Sequence, residues 1–267
     1  PSWADAVFES ASGFTTTGAS ILTDIESLPR SLLLWRSMTH WLGGMGIVVL
    51  TVALLPLLGV GGFQLLKAET PGPEKDKVAP KITATAKILW LIYLGMTVLQ
   101  TLLLMAGGMD WFDSLNHAFA TMATGGFSTK NASVGHFRSA YIEGVITVFM
   151  VLAGVNFSLY YRLLKGKVGD LWNNSELRAY LAVFFGASLA IAVSLVPAYG
   201  SLGTSFRYAS FQVASILTTT GFMSTDFDQW LPFAKAVLLL TMFVGGCSGS
   251  TGGGIKMMRA IILYNQV

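Results

Sequence analysis

Long apolar segments restrict this chain to a narrow range of folds. An α-helix needs roughly 20 apolar residues, at about 1.5 Å each, to cross the hydrocarbon core of a membrane. Segments that approach or exceed this length are Ser37–Leu66, Ile88–Met109, Ala140–Leu164, Tyr180–Val196 and Leu231–Val244. Only 12% of the residues are charged, whereas a soluble domain carries about a quarter. The sequence therefore predicts an all-α integral membrane protein.

The last apolar segment runs into a glycine-rich stretch before helical sequence resumes at Ile255–Leu263. This stretch, "GGCSGSTGGG", holds six glycines in ten residues, and each glycine costs a helix about 1 kcal/mol relative to alanine. The helix is therefore predicted to break there. A flexible loop that opens and closes an ion path is the favoured interpretation, and a passive kink that lets other helices approach is the alternative. The candidate gate comprises Gly245, Gly246, Cys247, Ser248, Gly249, Ser250, Thr251, Gly252, Gly253 and Gly254.

Three shorter segments lie between the long ones. Trp3–Phe14, Trp111–Met122 and Ser205–Leu217 each have about 12 residues, which corresponds to about 18 Å of helix. That length is too short to span a membrane, so each segment is predicted to enter the membrane and stop partway. Each of these half-helices ends in a stretch rich in threonine and glycine.

The three threonine- and glycine-rich stretches align without gaps. A threonine stands two residues before each aligned glycine, and a serine or alanine stands six residues before it. Such self-similarity indicates an internal repeat, and it divides the chain into units 1–82, 83–175 and 176–267. A full unit is a leading helix, a half-helix, a Thr/Gly stretch and an exit helix; unit one lacks the leading helix, and the broken exit helix of unit three carries the candidate gate. The aligned triplets are Thr16, Thr17 and Gly18; Thr124, Gly125 and Gly126; and Thr219, Thr220 and Gly221.

Irregular backbone after three half-helices predicts a shared polar axis. Backbone that is not helical survives at membrane depth only where protein buries it or where it lines a wet cavity. Rings of backbone carbonyls can replace the hydration shell of K⁺, and glycine permits the positive φ that lets successive carbonyls face such an axis. The three triplets are therefore predicted to form an ion filter. For one triplet alone, a helix cap and turn is an equally good interpretation, whereas three in one register favour the filter.

Other chemistry finds less support in the sequence. His40, His117 and His136 have no metal-binding spacing, and the glycine-rich stretch lacks the GK[ST] ending of a phosphate-binding loop. The single cysteine, Cys247, excludes a disulfide within the chain. No enzyme active site is predicted, and the net charge of +3 does not favour a nucleic-acid partner. Isolated polar residues in the apolar segments and half-helices are expected to have structural roles: Glu9, Glu143 and Asn156.

The basic residues predict an orientation in the membrane. The stretches Lys67–Lys87 and Arg162–Arg178, together with Lys256 and Arg259, hold eleven of the 17 Lys and Arg residues. The positive-inside rule makes their side cytoplasmic, which places the candidate filter toward the periplasm and gives successive units the same orientation. The main alternative, an ion-coupled secondary transporter with an organic substrate at the midplane, would favour inverted repeats. A membrane receptor or scaffold would give no reason for three matched stretches.

Five motifs are distinctive in combination: FESASGFTTTGAS, HWLGGMGIVVL, AFATMATGGFST, LTTTGF and GGCSGSTGGGIK. Together they resemble the bacterial Trk-type potassium-uptake membrane subunits, which are related to the Ktr proteins and to the high-affinity potassium transporters of plants and fungi. The resemblance covers all 267 residues. It implies four fused helix–pore-loop–helix units around one pore, the nine triplet residues as filter positions for K⁺, no organic cofactor, and an intramembrane gating loop under the filter.

The resemblance also implies how the protein assembles. It implies a homodimer that spans the bacterial inner membrane several times and binds a cytosolic ring of nucleotide-binding, TrkA-type regulatory subunits. The implied activity is potassium uptake, either channel-like or by symport, without enzymatic chemistry. Two departures follow from the sequence. Three of the four units are present, so the chain is expected to be a piece of a longer protein, and unit two reads Thr-Gly-Gly instead of Thr-Thr-Gly, so its part of the ring is expected to be looser.

Overall fold

The structure is a computed structural model, and it describes residues 2–46 and 82–266. Within these ranges all regular secondary structure is helical, which confirms the predicted all-α fold. The predicted span Ser37–Leu66 and the basic stretch Lys67–Lys87 fall largely outside them. Short 3₁₀ or π-helical turns occur at Leu42–Gly46, Ser133–Phe137 and Phe227–Gln229. The α-helices are α1 (Trp3–Phe14), α2 (Arg30–Trp41), α3 (Ile82–Ala106), α4 (Trp111–Met122), α5 (Ala140–Ala153), α6 (Phe157–Leu164), α7 (Gly169–Trp172), α8 (Ser175–Tyr199), α9 (Leu202–Leu217), α10 (Pro232–Met242) and α11 (Met257–Gln266).

Helices α1, α4 and α9 are the three predicted half-helices, and local sequence determines where they begin. The side chains of Ser2, Asp110 and Ser201 each accept a hydrogen bond from a backbone N–H in the first turn, at 3.2, 3.1 and 3.2 Å. These caps satisfy donors that helix geometry leaves unpaired. The bounds of α1 and α4 agree with the prediction. Helix α9 begins at Leu202, earlier than the predicted Ser205, because Ser201 supplies the cap.

Among residues 2–46 and 82–266, two helices are each long and apolar enough to cross a membrane. They are Ala86–Ala106, within α3, and Ser175–Tyr199, which is α8. They confirm the predicted spans Ile88–Met109 and Tyr180–Val196. Helix α10 is apolar but has only 11 residues, because the chain leaves the helical path just before the glycine-rich stretch.

The predicted span Ala140–Leu164 is not one straight helix, because the chain bends in its middle. Helices α5 and α6 differ in direction by 93°. A Cβ at Gly154 would overlap the hydroxyl of Tyr180, so the chain can approach α8 at this point only because the residue is glycine. Asn156 then caps α6 by accepting a backbone N–H at 2.9 Å, which is the structural role expected of it.

The half-helices α4 and α9 lie in the interior of the described structure. Both are lined by apolar residues with no exposed surface: Ala118, Ala120 and Met122 in α4, and Ala209, Phe211, Val213, Ala214 and Leu217 in α9. By contrast, α1 buries only Ser12 and Gly13. Apolar side chains of the long helices, such as Leu99 in α3 and Val193 in α8, are exposed, as expected of a surface that faces lipid. The interior position of α4 and α9 places the ends of these half-helices beside one another.

Candidate functional site

Three irregular segments follow the half-helices, and we refer to residues 15–19, 123–127 and 218–222 as segments one, two and three. Each segment leaves its half-helix through the same hydrogen bond, from the N–H of its third residue to the carbonyl five residues earlier. These bonds are Thr17 to Ser12 at 3.0 Å, Gly125 to Ala120 at 2.9 Å and Thr220 to Ser215 at 2.8 Å. Because the carboxyl end of a helix carries partial negative charge, each half-helix places negative partial charge beside its segment.

The three segments also share an unusual backbone conformation. In each one, a threonine and the glycine two residues after it both have positive φ. The angles are 55°, 53° and 60° at Thr16, Thr124 and Thr219, and 75°, 79° and 84° at Gly18, Gly126 and Gly221. Positive φ is rare for a β-branched residue and costs free energy, so three matched cases indicate one backbone design. The sequence indicated positive φ for the glycines, but it gave no sign of it for the threonines.

Neighbouring segments touch at the glycines. A Cβ at Gly18 would overlap the carbonyl oxygen of Gly125, and a Cβ at Gly126 would overlap the carbonyl oxygen of Thr220. At Gly221, an added Cβ would meet no atom of the described residues within 4 Å. The segments therefore lie side by side in the order one, two, three. Carbonyl oxygens of one segment lie against the glycine of the segment before it, which leaves no space for a side chain there.

Hydroxyl groups hold segments one and three in shape. In both, two threonines bond to each other through their side chains, and a serine in the half-helix donates to a carbonyl just past the glycine. The distances are 2.8 Å for Thr15–Thr17, 2.7 Å for Thr218–Thr220, and 2.6 Å for both Ser12 to Ala19 and Ser215 to Phe222. The aligned positions in segment two and its half-helix are Ala123, Gly125 and Ala120, so segment two has none of these bonds.

The glycine-rich loop, Gly245–Gly254, lies against segment three. The N–H of Gly253 donates to the hydroxyl oxygen of Thr219 at 2.7 Å, and a Cβ at Gly252 would lie 3.1 Å from the carbonyl oxygen of Thr218. The loop therefore contacts the segment at the threonine that has the left-handed conformation. It joins α10 to α11 as a non-helical connection, as the glycine content predicts.

The bend between α5 and α6 holds the other side of the loop. The N–H of Cys247 donates to the carbonyl of Gly154 at 2.8 Å, and the carbonyl of Gly249 accepts from the N–H of Phe157 at 3.1 Å. The Thr251 hydroxyl donates to a carbonyl of α5 at 3.1 Å. The bend and the loop thus each supply hydrogen-bond partners for backbone groups of the other.

Two charged residues that the sequence analysis did not single out also hold the loop. One carboxylate oxygen of the buried Glu176, on α8, accepts from the N–H of Ser248 at 2.7 Å and from the N–H of Met258 at 3.1 Å. It thereby ties the loop to the first turn of α11. The buried ammonium of Lys256 donates to the carbonyls of Gly252 and Ser250. An acid in the first turn of a helix resembles an ordinary partner of the helix dipole, so the sequence carried no signal for this role of Glu176.

The polar residues for which structural roles were expected have them. Glu9 accepts hydrogen bonds from the hydroxyl of Ser20 and the N–H of Ile21, both at 2.8 Å, and pairs with Arg36 at 3.3 Å. Glu143 lies 3.2 Å from the guanidinium of Arg207, on α9. These acids therefore connect helices to one another and do not point into the space between the segments.

The histidines do not assemble a metal site. His117 hydrogen-bonds the carbonyl of Asp113 at 2.7 Å and the hydroxyl of Ser128 at 2.9 Å, and His136 lies at the surface. Within residues 2–46 and 82–266, no three His, Cys, Asp or Glu side chains are grouped so that they could hold a metal ion. His40 is fully buried and lies beside segment two.

Outside the membrane-spanning helices, Asn131 connects the loops that follow segments one and two. Its side chain donates to Asp24 at 2.9 Å and accepts from the N–H of Ile25 at 2.7 Å, and its own N–H donates to Glu26 at 3.1 Å. The hydrogen bond from Asn131 lowers the pKa of Asp24. Asn131 thus holds two acidic side chains, Asp24 and Glu26, in the loop that follows segment one.

Comparison with known proteins places the chain in a family. The family model described as "TrkH: Cation transport protein" matches residues 1–267. The chain is 47% identical over 98% of its length to the Trk system potassium uptake protein TrkH of Escherichia coli (strain K12), and 48% identical over 98% to the protein of that name from Halomonas elongata. It spans about half the length of these relatives, 55% in each case. The crystal structure of the potassium transporter TrkH from Vibrio parahaemolyticus superimposes with a TM-score of 0.85 at 39% identity, covering 100% of this chain and 55% of that one. The chain therefore belongs to the TrkH family of cation transport proteins.

Proposed function

We propose that this chain forms part of the pore of a potassium uptake protein in the bacterial inner membrane. The observation that carries the proposal is the shared backbone of segments one, two and three, in which positive φ recurs at a threonine and a glycine and carbonyl oxygens lie against the next glycine. The names of its relatives, which are potassium uptake proteins, support K⁺ as the transported ion.

The chemistry of the segments favours a cation that sheds its water. None of the residues 15–19, 123–127 and 218–222 is charged, so the available ligands are backbone carbonyls and threonine hydroxyls. Neutral oxygens of this kind can replace the hydration shell of K⁺ without binding it too tightly to release it. The carboxyl ends of three half-helices add negative partial charge. We infer that K⁺ passes partly dehydrated along Thr16, Thr17 and Gly18 and the aligned triplets of the other two segments.

The glycine-rich loop is proposed as the gate. It lies against segment three through Thr219, and it is held by the bend between α5 and α6 and by Glu176. These contacts are hydrogen bonds that involve backbone groups, and they can be exchanged for water when the loop moves. Each such bond contributes about 0.5–1.5 kcal/mol, and a regulator could therefore overcome them.

The remaining expectations belong to the same proposal. Units 1–82, 83–175 and 176–267 would be three of the repeats around the pore, with the segments toward the periplasm and the basic loops in the cytoplasm. A homodimer and a cytosolic ring of TrkA-type, nucleotide-binding subunits would complete the assembly, as the resemblance implies.

Ion flux in proteoliposomes that contain the full-length gene product tests the proposal. The wild type should pass K⁺ in preference to Na⁺, and Gly18→Ser or Gly221→Ser should admit Na⁺. A side chain at Gly18 overlaps the carbonyl oxygen of Gly125, and one at Gly221 makes the left-handed conformation of that residue unfavourable. Equal K⁺/Na⁺ flux ratios in wild type and both variants would exclude the filter assignment.

A further inference from the structure

Segment two keeps the shared backbone conformation without the bonds that hold the other two segments. It lacks the threonine pair and the serine hydroxyl, because Ala120, Ala123 and Gly125 occupy those positions. Its φ angles are nevertheless 53° at Thr124 and 79° at Gly126, close to those of segments one and three. The bonds of segment two itself are the shared one from the N–H of Gly125 to Ala120 and one from the Thr124 hydroxyl to the carbonyl of Ala123. Since the conformation is unfavourable for threonine, a contact from outside the segment can supply the support that the missing bonds give elsewhere.

That contact comes from the imidazole ring of His40, on α2. A Cβ at Gly125 would overlap His40 ring atoms, including Nδ1 and Cγ. The ring therefore fills the space in which the aligned residues Thr17 and Thr220 carry their side chains. His40 has no exposed surface, so it cannot swing away without opening a cavity behind the segment.

Helix α2 also fixes the residue that follows Gly126. The His40 ring stacks on Phe127 with a centroid distance of 4.0 Å and an angle of 15° between the planes. The guanidinium of Arg36 lies 4.1 Å from the centroid of the same phenylalanine. Because Arg36 and His40 are four residues apart on one helix, they share a face, and Glu9 holds Arg36 in place. One face of α2 thus backs the central part of segment two.

The contact of His40 with segment two depends on the shape of the ring and not on hydrogen bonds. Neither ring nitrogen of His40 has a hydrogen-bond partner among the described residues, although buried polar atoms normally have one. The ring therefore acts on Gly125 and Phe127 as a flat, stiff surface. A phenylalanine at position 40 would present a similar surface.

We propose that His40 is a positioning residue that determines potassium selectivity: its ring takes the place, in segment two, of the threonine pair that holds segments one and three. By fixing Gly125, it sets where the Gly125 carbonyl oxygen meets Gly18. The ring fits against segment two only because residue 125 is glycine, which has no side chain. The proposal rests on the filter proposed above and extends it to a side chain on a different helix.

Flux measurements on four variants of the full-length gene product in proteoliposomes test this role. His40→Ala should lower the K⁺/Na⁺ flux ratio about tenfold or more, which corresponds to about 1.4 kcal/mol, whereas His40→Phe should keep the wild-type ratio. Gly125→Thr should lower the ratio or prevent folding, because the new side chain meets the ring. The triple variant His40→Ala/Ala123→Thr/Gly125→Thr restores a threonine pair in the vacated space and should recover the wild-type ratio.

Leu33→Ala is the matched control, because Leu33 is buried on the same helix nearly two turns before His40. It creates a cavity of similar kind without a contact to Gly125 and should leave the ratio unchanged. An unchanged ratio in folded His40→Ala overturns the proposal, and so does an equal loss in Leu33→Ala. If His40→Ala does not fold, the triple variant is the test. A wild-type K⁺/Na⁺ flux ratio then supports the proposal that the ring replaces a threonine pair, and a low ratio or failure to fold overturns it.

A second measurement separates failure of this inference from failure of the filter itself. The unfolding temperatures of His40→Ala, Gly125→Ala and their double variant form a cycle that reports the coupling of the two positions without any ion flux, because a Cβ alone at position 125 already overlaps the ring. A wild type that does not discriminate K⁺ from Na⁺ would exclude the filter and with it the selectivity role. A cycle without coupling would exclude the contact between His40 and Gly125 while leaving the filter in place.

Discussion

Replacement of Gly126 by alanine would test the close approach of segments two and three. A Cβ at this position overlaps the carbonyl oxygen of Thr220. The φ of 79° adds the cost of a left-handed conformation, about 1–2 kcal/mol for a residue with a Cβ. Because the Thr220 oxygen and its carbonyl carbon are backbone atoms, no side-chain rotation can relieve the overlap. Segments two and three would have to separate.

The size of the effect follows from the contact that is lost. A gap of about 0.5–1 Å already forfeits a quarter to a half of the attraction between two atoms in contact, and here it also displaces an oxygen proposed to coordinate the ion. A loss of about 1.4 kcal/mol in the difference between K⁺ and Na⁺ binding changes their ratio about tenfold. We therefore expect Gly126→Ala to lower the K⁺/Na⁺ flux ratio in proteoliposomes about tenfold or more, while total cation flux persists.

Gly108→Ala is the control for this experiment. Gly108 has a φ of 87°, and an added Cβ there meets no atom of the described residues within 4 Å. The variant carries the same left-handed penalty without the overlap, so its unfolding temperature should fall by the penalty alone and its K⁺/Na⁺ flux ratio should stay that of the wild type. The reasoning is refuted if Gly126→Ala keeps the wild-type ratio, or if Gly108→Ala loses as much selectivity.

Three further predictions concern the gate and the support of the first half-helix. Glu176→Gln should raise K⁺ flux, because the N–H groups of Ser248 and Met258 lose a charged acceptor, a loss of about 1 kcal/mol or more. The exposed Asp228→Asn should not raise it, and equal K⁺ fluxes in Glu176→Gln and the wild type would count against the proposed gate. Lys256→Met should also raise flux by freeing two loop carbonyls, and a lower flux would contradict this role. Glu9→Gln should lower the unfolding temperature by leaving Arg36 without its carboxylate, a destabilisation on the order of 2 kcal/mol after allowance for partial exposure; an unchanged thermal unfolding curve would disprove it.

Features that depend on neighbouring sequence were predictable. The half-helices α1 and α4 have their predicted bounds because a cap such as Asp110 and a Thr/Gly stretch lie directly at their ends. The spans within α3 and α8 were predictable because length and apolar composition suffice to indicate them. The alignment of Gly18, Gly126 and Gly221 was predictable because each glycine stands at the same distance from the threonine and the serine or alanine that precede it.

Features that depend on distant contacts were not predictable. The bend at Gly154 is stabilised by Cys247 and by the approach of Tyr180, which are far away in sequence, so a window over 140–164 reads as one apolar span. Glu176 was missed for the same reason, since its partners lie 72 and 82 residues later. The positive φ of Thr16, Thr124 and Thr219 was missed because propensity argues against it, and only the assembled segments impose it.

The three segments share a backbone but differ in what supports it, and this difference suggests where regulation enters. Segment one is held by its own hydroxyls, and segment two is backed by His40. Segment three has its own hydroxyls and also shares Thr219 with the loop, through the 2.7 Å bond from Gly253. A movement of the loop would therefore remove a hydrogen-bond donor from a threonine whose conformation is already unfavourable. Opening of the proposed gate would then alter the proposed filter at segment three first, which would couple gating to selectivity through one side chain.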